Sequence, residues 1–303
     1  MKKPAQTAAR SAAPTIYEQL PEIKPGQSIE LLKELHILTR DGKLNQDSRR
    51  KLKQVYHLVQ FIEPLVKDVQ SQKAQGVTLV DHGAGKSYLG FILYDLLFKG
   101  RDDDSRIYGI ETREELVQKS AELARRLEFP GMSFLNLSVA ESTESSKLPP
   151  TIDVVTALHA CNTATDDAID FALKKKAKHI VLVPCCQAEI ASVLRKNKGK
   201  DLGRSALTEI WRHPIHTREF GSQITNVLRC LQLEAHGYQV TVTELVGWEH
   251  SMKNELIVAT YKNLPRKRPA ERLQQVLAEV GLEEMAHRFY TESTTAYITA
   301  TTD

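Results

Sequence analysis

Val80–Tyr94, VDHGAGKSYLGFILY, decides the reading of this chain, because it sets a strand, a glycine turn and a helix in immediate succession. The run that feeds it, Val77–Val80, is apolar and largely β-branched, which predicts a buried strand that Asp81 ends. Gly83 and Gly85 then predict a tight turn, and an apolar helix is expected from about Lys86. Glycines let a backbone approach a ligand closely, and a helix N-terminus presents unpaired N–H groups. A doubly wound α/β sheet uses this arrangement to hold a nucleotide-like cofactor at the carboxyl end of its first strand.

Three kinds of turn share these letters. A phosphate-binding loop requires a glycine at position 80, which is valine. A dinucleotide-binding turn wants a third glycine at position 88, which is tyrosine. The acid-x-Gly-x-Gly turn of S-adenosylmethionine (SAM) enzymes fits, with Asp81 at the strand end and room over Gly83, Gly85 and Lys86 for the cofactor's methionine part. A second strand, Arg106–Ile110, ends on Glu111, where a carboxylate can accept hydrogen bonds from both ribose hydroxyls. The alternatives are a purely structural turn and a solvated carboxylate that opens the helix REELVQKSAELARRL.

At 303 residues the chain can bury a large α/β core, and its net charge of +3 does not by itself announce a nucleic-acid binder. Cys161, Cys185, Cys186 and Cys230 show neither CxxC nor Cys/His metal spacing, so reduced thiols, no metal and a cytoplasmic location are expected. The longest apolar run, Leu89–Phe98, is too short to cross a bilayer and carries Asp95, and no apolar signal core opens the chain. The first residues, MKKPAQTAARSAAP, read as a disordered tail, with organelle targeting as the alternative.

The segment plan follows from punctuation and period. Residues 1–27 are rich in Pro and read as tail and linker. Residues 28–75 read as a helical extension: Ser28 caps SIELLKELHIL, and Asp47 opens a helix whose Leu52, Val55, Val59, Ile62, Val66 and Val69 form one stripe, with a kink expected at Pro64. Residues 76–262 alternate strand and helix, which predicts a mostly parallel sheet. Further strands are expected at Ser133–Leu137, Ile152–Ala157 and His179–Val183, then a helix over Arg218–Ala235 and a hairpin of Gln239–Val246 with Glu255–Tyr261. Residues 263–303 read as a basic tail with one helix around Leu273–Phe289. Seven strands with a C-terminal hairpin match the Rossmann-like class I methyltransferase layout.

In such a sheet the chemistry lies beyond the carboxyl ends of the strands. There ALHACNTATDDAI (Ala157–Ile169) and VPCCQAEI (Val183–Ile190) bring small residues, a histidine, amides, carboxylates and thiols to one crevice. Together with DHGAGKSYLGFILY, GIETREELV and EHSMKNELIVA, these loops resemble a family of class I SAM-dependent methyltransferases that includes the eukaryotic tRNA acceptor-stem 2′-O-methyltransferase. The resemblance covers roughly Asp47–Tyr261 and implies SAM as cofactor and RNA, tRNA or rRNA, as substrate. Two positions depart from the family pattern: Asn162 stands where the tRNA enzymes have aspartate, and Ser87 replaces a common glycine.

For the cofactor, the expected residues are Asp81, Gly83, Gly85, Lys86 and Glu111, with Ser138 and Val139 near the adenine and His159 beneath it. The expected acceptor pocket comprises His159, Asn162, Asp166 and Gln187. His159 and Asp166 are the candidates to take a proton from a ribose hydroxyl, while Asn162 and Gln187 suit hydrogen bonding to a substrate edge. Thiolate attack on a base ring by Cys161, Cys185 or Cys186 is a rival chemistry, although the Pro-Cys after strand four and the Thr-Cys after strand five that mark such enzymes are missing. Basic clusters at 49–53, 174–178, 195–200 and 265–269 give modest support for RNA; the first fits phosphate contacts and a solvated face equally, and 174–178 reads as a solvated helix end. Trp211, Trp248 and Tyr88 are the candidates for stacking on bases. A protein or small-molecule acceptor, and a non-catalytic SAM- or RNA-binding role, are the competing functions.

Overall fold

The computed structural model describes residues 16–73, 75–158, 163–184, 188–196, 209–210, 212–245, 255–263 and 268–290. The chain divides into compact units at residues 1–52 and 53–303. The first contains α1 (Ile16–Gln19) and α2 (Ile29–Glu34). Ser28 caps α2 as expected, accepting the Leu31 N–H at 3.1 Å. The helix is shorter than its apolar pattern predicts because His36 takes a left-handed φ of 54°, which turns the chain away. Residues 16–27, read from sequence as tail, bury Ile23 and Gln27, and the Tyr17 hydroxyl donates to the Gln27 carbonyl at 2.9 Å.

The helix α3 (Gln46–Gln72) buries Val59, Ile62, Val66 and Val69, the stripe read from its spacing, and carries an exposed Pro64. The sheet holds β1 (Thr78–His82), β2 (Arg106–Glu111), β3 (Met132–Asn136), β4 (Val154–Leu158), β5 (His179–Val183), β6 (Tyr238–Glu244) and β7 (Glu255–Tyr261). Their order is β3-β2-β1-β4-β5-β7-β6. All pairings are parallel except those of β7, which runs antiparallel to β5 and β6. This is the seven-stranded, mostly parallel Rossmann-like methyltransferase sheet that the sequence predicts.

Crossovers pass through α4 (Tyr88–Leu93), α5 (Glu114–Arg126), α6 (Val139–Glu144), α7 (Ala164–Lys174), α8 (Glu189–Lys196) and α9 (Pro214–Ala235). Right-handed crossovers to the left and right of β1 place α4 and α5 on one face and α7 on the other. Two boundaries differ from expectation at the glycine turn. β1 runs on through Asp81 to His82, and α4 starts at Tyr88 rather than Lys86, because Ser87 adopts φ 51°. The apolar run then loosens into a π-helical turn at Tyr94–Phe98.

One core lies under the sheet, with Val80, Ile110, Val155, Phe171, Ile180 and Ile257 in it. A second joins α8, α9 and α10 (Pro269–Glu279) through Leu194, Leu228, Leu273 and Leu277. The expected single helix over 273–289 is instead α10 and a 3₁₀ turn at Glu283–Arg288, parted by Gly281 with φ 63°. Its apolar side makes residues 269–290 part of the folded unit.

At the strand-start edge, α3 is fastened to the sheet. Asp68 accepts from His179 Nε2 at 2.9 Å and pairs with Lys178 at 2.6 Å, while His179 Nδ1 meets the Thr260 hydroxyl at 3.0 Å. The Lys178 contact leads in holding the Asp68 pKa below the usual carboxylate value, and burial holds His179 below the ordinary imidazole range. A carboxylate acceptor fixes the proton on Nε2, so Nδ1 accepts from threonine. Asp68→Ala would orphan a buried imidazole N–H; a loss of about 1–3 kcal/mol in urea unfolding is the expected outcome.

Candidate cofactor and acceptor site

Asp81 and Glu111 end neighbouring strands, yet their surroundings are opposite. Asp81 lies between Gly109 of β2 and Thr156 of β4 in the ladder and is 3% exposed. Its Oδ1 accepts the Thr156 hydroxyl at 2.9 Å. The Ser87 hydroxyl, buried and without a well-formed hydrogen bond, also favours the ionised carboxyl. Burial outweighs both and pushes the Asp81 pKa up to about 6.

Glu111 is 8% exposed and is held by donors. Oε2 accepts the Gly85 N–H at 2.9 Å, and Oε1 accepts the Arg113 N–H at 3.0 Å and its Nε at 3.1 Å. Although burial pushes the other way, these donors together, led by the Arg113 guanidinium, bring its pKa below the usual value. The Arg113 side chain is 67% exposed, so little packing opposes its displacement when another donor comes to Glu111.

The turn between them is built for close approach. Gly83 and Gly85 take φ 68° and 56°, and the Ala84 N–H is fastened to the Ile110 carbonyl at 2.9 Å. A Cβ on Gly83 would stand in open space, and one on Gly85 would come no closer than 3.8 Å to Arg113 Nη2. The turn therefore leaves a cradle floored by backbone and flanked by two carboxylates, which suits a polar, partly cationic, ribose-bearing cofactor. Lys86 is exposed at its exit.

Ser138 follows β3 and caps α6. Its hydroxyl and N–H both donate to Glu141 Oε2, at 2.6 and 2.7 Å, in a capping box. Val139 is the first residue of that helix. Asp166 opens α7 but is not a free base: Arg229 Nε and Nη2 bind its two oxygens at 2.6 and 2.9 Å. This bidentate pair occupies both oxygens of a residue expected to act as proton acceptor. His159, Asn162, Gln187, Cys161, Cys185, Cys186, Trp211 and Trp248 lie outside the described residues.

Four residues of this region were not singled out from sequence. Thr156 interrupts the apolar β4 run and faces Asp81, Arg113 follows Glu111 by two positions, and Arg229 comes from α9. His82, 4% exposed, leaves both ring nitrogens unpaired against Phe171, and burial pushes its pKa down to about 4. Of the basic clusters, 174–178 falls at the strand-start edge, opposite the crevice. There Lys174 pairs with Asp170, Lys178 with Asp68, and Lys175 is buried. Arg195 and Lys196 are exposed on the last turn of α8, which leaves the carboxyl end of β5. Among the described residues there is no cluster that could hold a metal ion, and no helix is long and apolar enough to cross a membrane.

Because folding raises the Asp81 pKa, the wild-type fold takes up a proton as pH falls through about 6 and is penalised by a buried charge above it. Asp81→Asn stays neutral, and its amide can donate to Ser87. Its stability advantage over wild type should widen by about 1 kcal/mol between pH 5 and 7.5, read by thermal unfolding across that range.

Residues 50–193 match a family model described as "Methyltransferase domain". The glutathione S-transferase C-terminal domain-containing protein of Bos taurus is 25% identical over 237 residues, 72% of this chain and 34% of that protein. Its Xenopus laevis counterpart is 25% identical over 238 residues, 73% of this chain and 36% of that protein. The chain thus spans about a third of the length of these curated relatives. Magnesium protoporphyrin IX methyltransferase from Synechocystis PCC 6803, solved with bound SAM, is similar at 14% identity and a TM-score of 0.42, over 84% of this chain and 100% of that one. With its strand order and its paired-glycine turn, the chain has a Rossmann-like methyltransferase fold, and its residues 50–193 match a methyltransferase domain.

Proposed function

We propose that the methyl acceptor is RNA, tRNA or rRNA, modified at a ribose hydroxyl or a base atom. The observation that carries this reading is the set of loop sequences at the carboxyl edge, Ala157–Ile169 and Val183–Ile190, which resemble those of the tRNA acceptor-stem 2′-O-methyltransferase family. Exposed cations on the last turn of α8, Arg195 and Lys196, offer charge suited to phosphates on the helix that follows the second of these loops.

In this reading Gly83 and Gly85 admit the cofactor to the backbone, with Lys86 at the exit of the turn. Glu111 accepts its ribose hydroxyls in place of Arg113. Asp81, ionised above about pH 6, provides negative charge to the cationic methionine portion. Ser138 and Val139 border the adenine. SAM supplies an electrophilic methyl group on a sulfonium, so positioning of the acceptor in line with it is the protein's main task. His159 takes the proton of a ribose hydroxyl, and Asn162 and Gln187 hold the substrate edge by hydrogen bonds.

Purified protein and radioactive SAM, added to an extract of source cells deleted for this gene, should give label that nuclease removes and protease does not. The Asp81→Ala protein should give none. Protease-sensitive or small-molecule label would overturn the RNA assignment and leave the methyltransferase standing; SAM binding without any label would favour a non-catalytic protein. Glu111→Gln, which weakens charge-assisted acceptance from two hydroxyls, should lower SAM affinity about tenfold in calorimetry.

A further inference from the structure

Arg229 heads the largest fully buried side chains among the described residues, with no exposed surface. A guanidinium withdrawn from water is costly unless its donors are met, and an apolar side chain of similar volume would fill the space at less cost. Its partners give its position a use beyond filling. Nε and Nη2 bind both oxygens of Asp166, and Nη1 donates to Asn226 Oδ1 at 3.2 Å. Asn226 Nδ2 in turn donates to Glu255 Oε2 at 2.7 Å.

The two ends of this chain of contacts are both at the carboxyl edge. Asp166 lies in the first turn of α7, four positions after Asn162 in the sequence. Glu255 is the first residue of β7, and since β7 opposes β5, with Ile257 beside Leu182, it enters the sheet at the same edge. From a single turn of α9, Arg229 and Asn226 therefore fasten the two chain segments that return from the acceptor loop and from the EHSMKN stretch.

We propose that Arg229 is a positioning residue for methyl transfer: its fork on Asp166, extended by Asn226 to Glu255, sets the acceptor side of the crevice, while the cofactor side is built separately on β1 and β2. The proposal rests on the acceptor reading given above. A fork is needed because two parallel bonds fix direction as well as distance, which a lysine cannot do.

Arg229→Lys and Asp166→Asn test it in the full chain. The expected SAM affinity by calorimetry is within about threefold of wild type, with turnover on the acceptor that wild type labels falling about 10- to 100-fold. Backbone amides 163–168 and 255–257 should exchange about tenfold faster, while 79–93 exchange as before. The double variant should lose no more turnover than the worse single one, since both break the same pair. Turnover within about threefold of wild type overturns the proposal, as does a parallel loss of SAM affinity with faster exchange throughout β1–α4, the mark of a plain packing role. If Arg229→Lys does not fold, Asp166→Asn, altered on the partly exposed partner, decides alone. If wild type labels no RNA, the RNA assignment fails, and the exchange pattern with SAM affinity still decides the positioning role.

Discussion

A parallel sheet cannot close its strands with hairpins, so each strand must release its chain at the same edge. Here β1 and β4 are neighbours, while the crossovers from β1 through α4 and from β4 through α7 depart in opposite directions. Their loops cannot fill the gap between them, and a crevice results from topology before any side chain is placed. Gly83 and Gly85 deepen it, because their left-handed backbone carries no Cβ into the space. Every polar group discussed above takes its meaning from whether it reaches that edge.

The two carboxylates beside the crevice show that chemical identity alone does not set charge. Glu111 is surrounded by donors, and its charge is already compensated by the Gly85 amide and by Arg113. Asp81 has hydroxyls for company and pays in stability for remaining ionised at neutral pH. Such buried charge is what a cationic ligand would relieve on binding, whereas in the proposed reading Glu111 exchanges one set of donors for another. In the proposed reading, the first gives cofactor binding its electrostatic drive and the second selects hydroxyl geometry.

Local signals were legible where the deciding contacts are local. The turn glycines, the carboxylate at 111, the bounds of β5 and β7 and the apolar stripe of α3 all follow from residues within one element. Contacts that cross elements were not legible: Thr156 reaches Asp81 from 75 positions away, and Arg229 reaches Asp166 from 63. The C-terminal segment misled because PRKRP is a tail-like composition, whereas Leu273 and Leu277 lie one turn apart and need a partner surface, which α8 and α9 supply. The shortened α2 and delayed α4 share a cause, since a non-glycine residue in the left-handed region ends or delays a helix without any sequence punctuation.

Topology also bears on the basic clusters, of which 174–178 already read from sequence as a solvated helix end. Lysines at 174–178 follow a crossover helix back to the strand-start edge, a whole strand length from the crevice, where Lys174 pairs with Asp170 and Lys178 with Asp68. Arg195 and Lys196 are instead exposed on the last turn of α8, the helix that follows β5. A polyanion that presents one atom to the crevice must lay its remaining phosphates along that edge, and only charge located there lowers the energy of the bound state. A net charge of +3 is therefore no measure of affinity for RNA. What matters is which cations are available: Lys174 and Lys178 are already paired with carboxylates, whereas Arg195 and Lys196 are exposed.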